Sequence, residues 1–322
     1  MATSLLRTRS VIAHSTSLKG VFCPAVTPFD DQLNPDITLF IEHCHQLLEE
    51  GCHGLAVFGT TGEANSLSVE ERMQLLDALV ESGIDGSVIL PGTGCAALTD
   101  SVRLTQHAVK LGCSGVLMLP PFYYKDVSND GLFRAFEQII ERVGDQRLKI
   151  YLYHIPQVSG VPLDLVLVDR LADIYPDCVV GLKDSSGDWL YTQKLLRTRP
   201  GFGAFSGSEI FLRNNLLAGG CGTITASANV NTPAIRAAYD NFQDEKGEVL
   251  QADITRRRKI IQTHPMIPAL KSILATVAGN DNWRRVRPPL LPLSATASNN
   301  LIESLVIDGY PPLANMAITV EP

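Results

Sequence analysis

The feature that most constrains this chain is a repeated switch of hydrophobic period. Short apolar runs alternate with amphipathic segments whose apolar residues recur every three or four positions. The runs read as strands over residues 20–26, 54–58, 88–91, 115–119, 150–154, 179–183, 203–206 and 222–225. Helical patterns follow them at 37–48, 69–80, 98–111, 132–143, 163–174, 190–197, 210–217 and 234–242. Asp36 stands where a helix cap belongs, and Ser68 lies three residues before Glu71, the spacing of a capping box. Gly51, Gly54, Gly112 and Gly115 mark where the preceding helices stop. Strict alternation implies a parallel sheet, and eight units is the number that closes one into a barrel.

The fold expected is therefore α/β: a single (β/α)8 TIM barrel over residues 18–243, with additional C-terminal helices in the 244–322 segment packed on it. A chain of 322 residues, 45% hydrophobic and 19% charged, can bury a core of that size. The formal net charge of −7 disfavours a nucleic-acid or anionic-membrane surface. The one basic knot, Arg256-Arg257-Arg258-Lys259, follows acidic Asp244, Glu245 and Glu248 and reads as a solvated helix face. No apolar stretch reaches the length of a membrane span. Seven scattered cysteines without a C-x-x-C pair suit a reducing compartment and argue against disulfides or a cysteine zinc site. His43 and His45 diverge on a helix and could not share a metal. Residues 1–17 carry arginines and hydroxyls but no acid; they read as a loose N-terminal extension in preference to an organelle-targeting peptide, and the protein as cytoplasmic.

In such barrels the chemistry sits at the C-terminal ends of the strands. The sixth run ends in Lys183, whose ammonium loses water at the end of a buried strand; desolvation favours a neutral amine able to attack a ketone. The fifth run alternates, with Tyr151 and Tyr153 on one face and Leu152 and His154 on the other. A Tyr153 phenol in the barrel mouth could exchange protons with a reacting oxygen. After the second run, Gly59-Thr60-Thr61-Gly62-Glu63 combines two hydroxyls with a nest of backbone N–H groups suited to a small carboxylate. The rim is rich in hydroxyls and offers no convergent histidines or carboxylates for a metal. That inventory suits Schiff-base chemistry on a keto acid with no cofactor.

The motifs Gly59–Glu63, Pro120-Pro121-Phe122-Tyr123-Tyr124, Tyr153-His154-Ile155-Pro156, Gly181–Asp188 and Ser206-Gly207-Ser208-Glu209 resemble, in order, those of the dihydrodipicolinate synthase/N-acetylneuraminate lyase family. The resemblance implies a class I aldolase of the lyase class, usually tetrameric, that handles pyruvate and an aldehyde. By position, Lys183 resembles the Schiff-base lysine and Tyr153 the proton shuttle. Thr60 and Thr61 match the threonines that hold the pyruvate carboxylate, Thr60 also joining the relay. Tyr123 matches the tyrosine supplied across a homo-oligomer interface. Gly207 and Ile224 match residues lining the pyruvate site, and Ser208-Glu209 replaces the acidic pair with which the lyases bind sugar hydroxyls.

Two departures bear on substrate. Val158 stands where the synthases carry an arginine for the carboxylate of aspartate semialdehyde, and a valine cannot form that clamp. Lys125 is the one nearby cation. His154 replaces a common asparagine and reads as packed on the outward face. The expectation is a lyase that cleaves or forms a 2-keto acid with pyruvate as one half, through an outer pocket that is neutral to slightly acidic and favours neutral aldehydes. The alternatives are 4-hydroxy-tetrahydrodipicolinate synthase, a 2-keto-3-deoxy sugar acid dehydratase, and a non-catalytic paralogue.

Overall fold

The computed structural model describes residues 18–313, so the expected extension at 1–17 lies outside the described residues. Seven parallel strands form one curled sheet: β1 (Gly20–Cys23), β2 (Gly54–Leu55), β3 (Val116–Met118), β4 (Ile150–His154), β5 (Val179–Asp184), β6 (Gly203–Ser206) and β7 (Gly222–Ile224). Their order is β2-β1-β7-β6-β5-β4-β3, with helices between successive strands.

The run at 88–91 does not form the strand expected of it. A 3-10 turn, Gly86–Val88, leads into single bridges between Leu55 and Ile89 and between Gly92 and Leu117. The Leu90 N–H donates to the Leu55 carbonyl at 2.8 Å, and the Leu117 N–H to the Pro91 carbonyl at 2.9 Å. Pro91 has no N–H, so a rung toward β3 is missing and the segment stays a pair of bridges.

Side-chain alternation sorts the apolar residues into two layers. On β4, Ile150 and Leu152 join the core between sheet and helices, whereas Tyr151 and Tyr153 point into the sheet's concave interior with Phe22, Leu117 and Phe205. There the Phe205 ring meets Phe22 and Tyr151 edge-on, at centroid distances of 5.6 and 5.8 Å. His154 faces outward, stacked 4.3 Å from the Tyr191 ring and accepting the Leu163 N–H at Nδ1. Burial lowers its pKa against the pull of Asp184 and Asp188, which marks a packed neutral ring.

Local sequence sets the helix starts. The Asp36 carboxylate accepts the Leu39 N–H at 3.0 Å, and Ser68 and Glu71 complete a reciprocal capping box. The C-terminal helices Glu245–Ile261, Met266–Ala278 and Ala295–Ile307 pack over the ends of β1 and β7, around Val26, Ala226, Leu270 and Trp283. Here the solvated reading of the basic knot fails. Ile254, Arg257, Arg258 and Ile261 recur at helical spacing, so the stripe that docks the helix carries two arginines inward. Arg257 is buried against Asn231 and Asp308, and Arg258 reaches the cavity described next. Among the described residues no helix is long and apolar enough to cross a membrane.

Candidate active site

Adjacent strands bring a lysine and a tyrosine together. Tyr153 and Lys183 are direct register partners across β4 and β5, and both side chains enter the concave interior. Lys183 is 4% exposed, with Nζ 4.4 Å from the centroid of the Tyr153 ring. The Tyr153 hydroxyl lies 3.4 Å from the Thr60 Oγ1. Burial alone would raise the pKa of that phenol. The Lys183 charge and hydrogen bonds with Thr60, Ser185 and Lys183 outweigh it, so the Tyr153 pKa falls below the usual tyrosine value. A phenol poised in this way can both give and take a proton.

These groups form the floor of a cavity of about 520 Å³, within the usual size of a small-molecule site. Thr60, Thr61, Gly207 and Ser208 also line it. Gly207 is required by close approach: a Cβ there would stand 2.0 Å from the Ser185 Oγ and 2.7 Å from the Asp184 carbonyl oxygen. The threonine turn is bracketed by two residues in left-handed conformation, Phe58 (φ 57°) and Glu63 (φ 56°). Such geometry persists only where its surroundings hold it. Glu63 is held on both oxygens, by the Lys271 ammonium at 2.5 Å and the Arg287 N–H at 2.9 Å. The ion pair is wholly buried and ties the turn to the helix Met266–Ala278.

Other expected site residues stand elsewhere. Tyr123 is 73% exposed, packed edge-on against Tyr124, and does not reach the cavity within this chain. Ile224 is buried in the sheet interior and is not part of the cavity wall. Glu209 is 0% exposed, and its carboxylate receives Thr225, Ser227 and Arg258 instead of facing the cavity. Val158 is exposed away from the cavity, and the Lys125 ammonium is taken up by the carbonyls of Phe122 and Ser159. Sequence reasoning missed Arg258, Gln262 and residues 265–268, which also line the cavity. The helical spacing from Ile254 to Ile261 was the signal for Arg258.

A buried amine beside a phenol, at the open end of a parallel α/β sheet, defines a site for covalent chemistry on a carbonyl compound. The comparisons agree with that class. Residues 17–307 match the model of the dihydrodipicolinate synthetase family. The chain is 36% identical over 280 residues to an uncharacterised DapA-like lyase of Chloroflexus aurantiacus, covering 86% of this chain and 92% of that one. The crystal structure of dihydrodipicolinate synthase from Agrobacterium tumefaciens superposes with a TM-score of 0.84 at 31% identity, covering 89% of this chain and 98% of that one. A prophage protein of the same family from E. coli K12, crystallised in complex with pyruvate, gives 0.83 at 26% identity, covering 90% and 98%. The chain belongs to the dihydrodipicolinate synthetase family, and it is a lyase of the pyruvate-dependent class I aldolase type.

Proposed function

We propose that the protein makes or cleaves a 2-keto acid through a pyruvate Schiff base on Lys183. One observation carries this reading: buried Lys183 and Tyr153 meet half-buried Thr60 at the floor of a single cavity. The amine nitrogen adds to the keto carbon of pyruvate, and the keto oxygen leaves as water, with Tyr153 delivering and recovering protons. Loss of a methyl proton then gives a nucleophilic enamine, whose carbon attacks the aldehyde; hydrolysis of the imine releases the product. The Thr60-Thr61 turn is suited to the pyruvate carboxylate by its hydroxyls and N–H groups, and the Gly207 backbone leaves room beside it.

Three further elements of the reading go with this. The bridges at Ile89 and Gly92 connect β2 to β3 and are the place where the sheet closes as an eight-membered barrel. The exposed Tyr123-Tyr124 pair is apolar surface of the kind that a second copy of the chain would cover, bringing Tyr123 to the relay across a homo-oligomer interface. The cytoplasm is the compartment that the cysteine usage fits. The combination of lysine, tyrosine and threonine is what separates this reading from a non-catalytic paralogue.

Borohydride trapping tests it. Pyruvate followed by borohydride should leave a reduced adduct on Lys183, located by peptide mass spectrometry, and Lys183→Ala should abolish it. An adduct of equal yield in the variant refutes the mechanism.

A further inference from the structure

Residues of the C-terminal helices line part of the cavity, and their chemistry differs from that of Lys183, Tyr153 and Thr60. Arg258 enters from the helix Glu245–Ile261 and lines the wall together with Gln262. Its Nη1 donates to Glu209, Thr225 and Ser227, each at 3.2 Å, and its Nε to the Gln262 Oε1 at 3.4 Å. Those bonds fix the guanidinium through Nη1 and Nε. Among the described residues Nη2 has no protein acceptor, and it is not one of the buried polar atoms left without a partner, so it is open to solvent on a side chain that lines the cavity. Gln262 uses its Oε1 to hold the guanidinium, which leaves its amide Nε2 as a second donor one helical turn away.

The surrounding charges give this edge a sign. Two carboxylates stand near the wall, and both are engaged from behind. Glu209 is turned into its three donors, and Asp184 accepts the Ser186 N–H at 2.8 Å and the Thr192 hydroxyl at 2.5 Å. The cationic side chains lining the cavity are Lys183 and Arg258. A neutral partner leaves the Nη2 edge unanswered, whereas a terminal carboxylate meets a charged donor in a partly dry site.

We propose that Arg258, with Gln262, is the specificity-determining pair of the outer pocket and receives a terminal carboxylate of the aldehyde substrate. The 2-keto acid made or cleaved is then dicarboxylic. This rests on the pyruvate Schiff-base reading and reverses the neutral-pocket expectation drawn from Val158. The carboxylate donor comes from the C-terminal helix, about a hundred positions from the turn that lacks its arginine.

The test compares kcat/KM, with saturating pyruvate, for succinate semialdehyde and aspartate semialdehyde against butanal, which lacks the carboxylate. The wild-type protein should favour the acids, and Arg258→Gln should lower the acid-to-neutral ratio by about tenfold to hundredfold. Because that substitution strips Glu209 of its cation, Arg258→Gln/Glu209→Gln, which removes both charges, is the second variant and should show the same fall. An unchanged ratio in a folded variant, or a wild-type preference for butanal, overturns the proposal. Borohydride trapping of pyruvate on the wild-type protein is the separate control: failure there refutes the Schiff-base reading itself, whereas trapping with an unchanged ratio refutes only the role of Arg258.

Discussion

Replacing Lys271 by methionine should expose how much of the active-site turn is held electrostatically. Lys271 and Glu63 are both 0% exposed and 2.5 Å apart. Burial lowers the Lys271 ammonium to about 8 against the upward pull of Glu63, so the folded protein binds that proton less tightly than the unfolded chain. Wild-type stability from this group therefore rises as pH climbs through about 8, and it does not change at lower pH, where the lysine is protonated in both states. The variant behaves differently. Glu63 keeps its bond from the Arg287 N–H but loses its counter-charge. Breaking a buried pair from one side costs about 3–5 kcal/mol. Equilibrium urea unfolding should then show Lys271→Met about 3–5 kcal/mol less stable at neutral pH, and without the wild type's gain in stability as pH climbs through about 8. Lys271→Met/Glu63→Gln should recover much of the loss. A loss under about 1 kcal/mol at neutral pH, or a double variant no more stable than Lys271→Met, refutes the reasoning.

Two shorter predictions concern the cavity floor. Tyr153→Phe should leave the fold intact and slow turnover by about 10²–10⁴-fold; because Lys183 and the hydrogen bonds hold the phenol below its usual range, the alkaline limb of kcat/KM should lie below that of free tyrosine and move in the variant, and a loss under tenfold would mean another group carries the protons. Gly207→Ala should displace the Asp184-Ser185 backbone and reduce kcat/KM by about 10²-fold with little change in Tm, a result contradicted by kinetics within twofold of wild type.

What could be read from the sequence was whatever has a short-range signature. The limits of β4 and β6 and the caps at Asp36 and Ser68 follow from alternation and from hydrogen bonds between neighbours in sequence. The same alternation turned Tyr153 inward and His154 outward, and the end of an apolar run marked Lys183. What depended on distant packing was lost. Pro91 removed a rung that hydropathy cannot register. Glu63 and Lys271 stand 208 positions apart, and nothing local links them. Arg258 was misread because a run of four basic residues suggests solvent, although the helical period of Ile254 and Ile261 pointed it inward. Glu209 looked like a ligand for substrate until its three partners filled its oxygens. The place of Tyr123 rests on a neighbouring molecule, which no single chain can supply.

The register that faces Tyr153 with Lys183 has an evolutionary consequence. Their separation is set by main-chain rungs between two central strands, so it is insulated from change in the connecting loops. The wall at Arg258 is carried by a helix that can shift or be resubstituted without disturbing those rungs. Descendants of such a chain can exchange one aldehyde for another while inheriting the carbon–carbon chemistry intact. In the laboratory, a library confined to residues 258, 262 and 265–268 should yield altered preferences at high frequency and few dead enzymes.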